Sequence, residues 1–236
     1  MRQIVAASAL ALLVSTVAVA QNKETIESNG KIVTADIPVS SFDALKASGV
    51  YELKLSQGST ESVKIEADEN LQAYFTVKNE GSKLVIDMDR LKNINLKGRN
   101  MKLKVYVTFK QLKSLDLSTV GNVRSEESLS FGDLKVLNNS VGNVDLKLTA
   151  DKVSLDNQSV GNVTLAGKAT TAVFRNEGVG SLKAGDFAVQ TLDIRNTGVG
   201  NAEVNAVKEL KVEDSFLGKV KNKGTASMKK KNREVI

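Results

Sequence analysis

The phrases TVGNV (119–123), SVGNV (140–144), SVGNV (159–163), GVGSL (178–182), GVGNA (198–202) and FLGKV (216–220) recur around Gly121, Gly142, Gly161, Gly180, Gly200 and Gly218. Successive glycines stand 21, 19, 19, 20 and 18 residues apart. A period near 20 with strand-like spacing is the mark of a solenoid, in which each unit buries its apolar face only by stacking on its neighbours.

Counted back from each glycine, the eighth and sixth residues are apolar: Leu134 and Val136, Val153 and Leu155, Ala172 and Phe174, Leu192 and Ile194, Leu210 and Val212. That is the period-two face of a strand. The fourth residue back is Asn138, Asn157, Asn176, Asn196 and Asp214 in the last five copies, and Leu117 in the first. Stacked about 4.8 Å apart, such amides form a ladder in which each donates to one neighbour and accepts from the other. Asparagine also follows most of the glycines (Asn122, Asn143, Asn162, Asn201), and both residue types tolerate the backbone of a tight corner. Each copy therefore reads strand, corner, strand, with the six glycines as structural corners.

The residue just before each glycine is Val120, Val141, Val160, Val179, Val199 or Leu217. Strict alternation points this column outward, but six aliphatic side chains in line are costly to leave in water. The expectation is that a bulge at the corner turns them inward. The alternative is an exposed stripe for a partner surface.

Outside the repeats, residues 1–20 read as a signal peptide, with Arg2, an apolar stretch, and Ala18-Val19-Ala20 before the cleavage point. Residues 21–224 read as one β-helical domain, most regular over 111–224, and 225–236 as a basic tail. The N-terminal half is strand and turn with longer excursions: strands at 31–37, 48–55, 62–67 and 101–109, a helical turn at 68–74, a hairpin joining 75–78 to 83–88 through a four-residue loop, and a basic loop at 93–100.

The chain has no cysteine, histidine or tryptophan, and one proline. Disulfides are excluded, and the usual equipment for proton transfer near neutral pH is missing. Residues 219–236 hold seven basic residues against one acidic, while the rest of the mature chain carries 25 basic and 26 acidic. The excess charge is a tail and not a basic face, so nucleic acid is not an expected partner; weak contact with an anionic surface is. No nucleophile elbow, calcium-binding nonapeptide or carboxylate pair at glycosidase spacing occurs in the repeats. No catalytic, metal or cofactor residue is therefore assigned, and the residues themselves leave the ligand unknown.

The opening FDALKASGVYELKLSQGSTESVKIEADENL (42–71), followed by the S-V-G-N-V repeats, resembles the auto-transporter adhesin head domain, also called the GIN domain, of exported proteins in Bacteroidetes-type bacteria. The resemblance covers about 42–224. It implies a right-handed β-helix-like fold and a role in adhesion, and it brings no catalytic residues. No run of membrane strands follows the repeats, so a periplasmic, surface-associated or secreted placement is expected. The expected function is a non-enzymatic scaffold or adhesion module contacting a protein or glycan. The alternatives are a carbohydrate-active enzyme on the same fold and an envelope-assembly or stress factor. Open strand edges at the two ends of the stack also leave an oligomer open.

Overall fold

A computed structural model describes residues 24–88, 94–98 and 101–230. The expected signal segment and the last six residues lie outside these. The repeats form a stack of parallel β-coils, an all-β solenoid. Its regular part is four long strands, β13 (Val144–Asn157), β14 (Val163–Asn176), β15 (Leu182–Asn196) and β16 (Ala202–Asp214). Repeat positions align in register: Val144 lies beside Val163, and Asn157, Asn176, Asn196 and Asp214 share one row. Each coil runs from just past one glycine to the asparagine before the next.

The register follows from burial. On β13, Val144, Leu146, Leu148, Val153 and Leu155 are buried, with polar residues between them facing water. A one-residue slip would expose that whole row, and each buried Val or Leu contributes roughly 1.5–3 kcal/mol. Phe174 and Phe187 fill the wider part of the interior, their ring centroids 6.5 Å apart.

The stack begins before the first glycine. β10 (Ser114–Val120) and β11 (Val123–Ser125) form one coil, and β12 (Leu129–Asn138) leads into the next. Beneath β10 and β11 lie β3 (Ala44–Val50) and β4 (Glu52–Gln57), with Val50 beside Val120 and Leu53 beside Val123. The alternating run 48–55, expected as a single strand, thus turns a corner at Tyr51. It is a seventh copy of the repeat, with Tyr51 at the glycine position. Tyr51 is buried and its hydroxyl donates to the Ile86 carbonyl at 3.2 Å.

Toward the N-terminus the parallel coils give way to antiparallel strands. β7 (Lys83–Asp87) lies parallel to β3 and forms a hairpin with β6 (Thr76–Glu80) through two residues, Gly81 and Ser82, not the four expected. On the other side β9 (Leu103–Phe109) lies parallel to β4, and β5 (Ser62–Asp68) and β2 (Ile32–Ile37) follow antiparallel. A 3-10 turn, Glu69–Tyr74, occupies the expected helical turn. Buried Asp68 ties this end together by accepting from the Ser28 hydroxyl and from the backbone N–H of Gly30 at 3.0 Å. Within the stretch read as a basic loop, β8 (Ile94–Lys97) pairs in parallel with β1 (Glu24–Glu27).

At the other end, β17 (Val220–Asn222) covers Ala202 to Val204 of the β16 edge and β18 (Met228–Lys230) covers Leu210 to Val212. Part of the segment read as a tail is therefore the last strand of the stack. Lys230 Nζ lies 3.4 Å from Asp214 Oδ1, and Lys229 Nζ 3.8 Å from Glu209 Oε1.

Candidate interaction surface

The row of asparagines is buried and hydrogen-bonded along the stack axis. Asn138 Nδ2 donates to Asn157 Oδ1 at 2.7 Å, Asn157 to Asn176 at 2.6 Å, and Asn176 to Asn196 at 2.6 Å. Ser140 and Ser159, two residues on, donate their hydroxyls to the carbonyls of Asn138 and Asn157. The first copy has Leu117 in this row, so the buried Thr119 hydroxyl has no such carbonyl within reach and no partner. Asp214 does not extend the file. Its carboxylate faces Val220 N–H at 3.4 Å and Lys230, while Asn196 Nδ2 turns to the Gly200 carbonyl at 3.1 Å.

The glycines stand where the coil presses on the coil before it. A Cβ on Gly142 would lie 2.3 Å from the Gly121 carbonyl oxygen, and one on Gly161 would lie 2.1 Å from that of Gly142. The φ angles of Gly121, Gly142, Gly161, Gly180 and Gly200 run from +132° to +146°, which L side chains rarely adopt. Gly218 does not share that conformation, because the last copy departs from the frame. The residue two before the glycine is small and buried in five copies (Thr119, Ser140, Ser159, Gly178, Gly198), but it is Phe216 in the sixth. A phenyl ring has no room there, and Phe216 is 90% exposed.

The column before the glycines faces water, which overturns the expected inward bulge. Val120, Val141, Val160, Val179 and Val199 are 48–52% exposed, Leu217 62% and Val50 41%. The bridges Val120–Val141, Val141–Val160, Val160–Val179 and Val179–Val199 continue without interruption, so no bulge occurs. The reason lies in the glycine slot. It is the next inward position after asparagine and serine, and the preceding coil's carbonyl already fills it. Alternation therefore runs through the corner and keeps the valines outside.

The aliphatic file is bordered mainly by uncharged groups. On one side stand Ser118, Asn139, Gln158, Glu177, Thr197 and Ser215; on the other, Asn122, Asn143, Asn162, Ser181, Asn201 and Lys219. The second row, read from sequence only as a corner, is also an amide column. Asn122 Oδ1 accepts from Asn143 N–H at 3.0 Å, Asn143 Oδ1 from Asn162 N–H at 3.1 Å, Asn162 Oδ1 from Ser181 N–H at 3.1 Å, and Asn201 Oδ1 from Lys219 N–H at 3.3 Å. Each carbonyl is thus held against the next coil, and Asn162 Nδ2 also donates to Asn143 Oδ1 at 3.4 Å.

Charged side chains gather elsewhere. Two adjoining clefts of about 570 and 670 Å³ share Gln111 and Lys113. In the first, Asp43 meets Lys113 at 2.8 Å and Glu61 meets Lys110 at 3.0 Å. Those lysine hydrogen bonds hold both carboxyls below their ordinary range. They are poor general acids at neutral pH and serve to pin the 110–113 loop. No cluster of three metal-ligating side chains occurs among the described residues.

Residues 41–226 match the family described as "Putative auto-transporter adhesin, head GIN domain". The chain belongs to this family. The crystal structures that share this fold include the following three. A putative adhesin from Bacteroides fragilis has 28% identity and a TM-score of 0.72, with 87% of this chain and 99% of that one covered. A putative adhesin from Parabacteroides distasonis has 23% identity and a TM-score of 0.65, covering 88% and 96%. A protein from the same species described as a putative lipid binding protein has 20% identity and a TM-score of 0.60, covering 89% and 100%; at that identity it shows the fold alone. No curated protein matches the chain. No helix among the described residues of the GIN domain is long and apolar enough to cross a membrane.

Proposed function

We propose that this protein is a non-enzymatic, exported adhesion module of the cell envelope, holding a protein or glycan against the outer face of its solenoid. The observation that carries the reading is the file of seven half-exposed aliphatic residues in a GIN domain. A monomer that served only as a frame would gain nothing by keeping that row apolar. Export is supported by the signal pattern of residues 1–20 and by membership of an adhesin family.

The test is incubation of the purified mature chain with intact Gram-negative cells and with a glycan panel, reading both retention and product formation. Retention without turnover supports an adhesion module. Release of shortened glycan products overturns it in favour of a carbohydrate-active enzyme.

A further inference from the structure

We infer that the Val50–Leu217 file and its two amide-rich borders form a binding track for a single strand of uncharged, unbranched polysaccharide lying along the solenoid axis; this rests on the adhesion reading. The first argument is size. Seven coils at about 4.8 Å, and four residues of width at about 3.3 Å, make a strip about 29 Å by 13 Å, on the order of 400 Å². That is about half of the roughly 800 Å² per partner that a stable protein interface buries. A globular partner or a second copy resting on the strip alone would be held weakly. One polymer chain fits its width.

The second argument is backbone chemistry, which excludes an extended peptide joining as a strand. Along the file the main chain is already bonded within the stack: Val141 N–H donates to the Thr119 carbonyl at 2.8 Å, and Gly142 N–H to the Val160 carbonyl at 2.9 Å. No free ladder of N–H and C=O remains for strand addition.

The third is polarity. The two bordering rows carry only Glu52, Glu177 and Lys219 as charges, Glu52 being paired with Arg124 at 2.6 Å, and residues of both signs stand beyond them, such as Arg124 and Asp145. A polyanion or anionic lipid head groups would find no basic run here. What the strip offers at the four coils of Asn122, Asn143, Asn162 and Asn201 is one aliphatic contact beside an amide group whose carbonyl is fixed to the next coil. A pyranose presents that pair of chemistries in each unit, C–H groups on its face and hydroxyl oxygens at its rim. An extended β-linked glycan also advances per sugar by a distance comparable to the coil spacing. Exposed Phe216 at the end of the file adds an aromatic surface on which a last ring can stack.

The experiment is affinity electrophoresis of the mature chain in native gels containing hydroxyethylcellulose, glucomannan or polygalacturonate. The expected result is retardation by at least one neutral polymer, little changed by salt, and weakened about tenfold in the double variant Val141→Asp, Val160→Asp. If that variant melts early by circular dichroism, Val141→Ser with Val160→Ser replaces it. Migration unchanged by both neutral polymers, retardation by polygalacturonate alone, or equal retention of a folded variant overturns the proposal. So does a dimer in sedimentation equilibrium that the variant converts to monomer, which would put a second copy on the strip. Cell binding separates the two readings: if the folded variant adheres to intact cells as well as the parent, the track fails while the adhesion module stands.

Discussion

Asn157 donates its side-chain amide to Asn176 at 2.6 Å while its own carbonyl accepts from Asn138 and from the Ser159 hydroxyl. The group is buried, so every one of these bonds is made in a site without bulk water. Replacing it with alanine strands the Asn138 amide and the Asn176 carbonyl at once. Unmet buried groups cost about 1–3 kcal/mol each, so Asn157→Ala is expected to lose on the order of 3 kcal/mol and about 10 °C of melting temperature. A loss of under 2 °C by circular dichroism would mean that the ladder holds nothing in register.

A methyl group at the corner has nowhere to go, since the obstacle is the main chain of the adjacent coil. Gly161→Ala is expected to cost about 3 kcal/mol or more, combining the strained φ of +141° with the contact on the Gly142 carbonyl. Gly132→Ala, where a Cβ meets only Asp151 Oδ2 at 3.9 Å, should stay within about 0.5 kcal/mol. Equal melting shifts for the two would refute the close-approach account.

The absence of native cysteine allows exposure to be read directly. Val160→Cys should react with a fluorescent maleimide at nearly the rate of a free thiol, while Val163→Cys, at a position 1% exposed, should react at least a hundredfold more slowly in the native protein. Comparable rates would return the valine column to the interior.

Stability should be flat from about pH 6 to 9, because no histidine titrates there. Asp43, Glu61, Glu80 and Glu126 have carboxyls lowered chiefly by Lys113, Lys110, Lys78 and Lys54. A lowered native value contributes stability that is complete above the ordinary carboxylate range and is lost as pH falls through the native value. The melting temperature should therefore begin to fall as the pH drops below about 5, where the unfolded carboxyls start to take up protons. A decline already visible between pH 7 and 6 would contradict this assignment.

Removing residues 225–236 takes away β18 and bares the stretch of β16 from Leu210 to Val212, with its unpaired backbone groups. Sedimentation velocity should then show concentration-dependent end-to-end association. A truncated chain that stays monomeric at high concentration would show that the edge needs no cover.

Much of the frame was legible because it is local and repetitive. Val153, Leu155 and Asn157 show their inward face by alternation alone, and the spacing from Asn138 to Asn196 places those residues in one row whatever the rest of the chain does. The coil at Tyr51 was hidden because its corner carries no glycine; only the pairing of Val50 with Val120 reveals it. The signal available was Gly49-Val50, standing where the later copies have one small residue followed by valine, as in Ser140-Val141 and Gly178-Val179.

What the sequence by itself determined is the period, the buried face and the lining of the corner with glycine and amide residues. Only the tertiary structure decided where the valines point, that Phe216 is expelled and that Asp214 leaves the ladder. Alternation is a property of a few neighbouring residues, whereas the contact between Gly142 and the Gly121 carbonyl joins coils 21 residues apart. That contact leaves no inward slot to which a bulge could carry the valines, so a column expected in the core became an outer face.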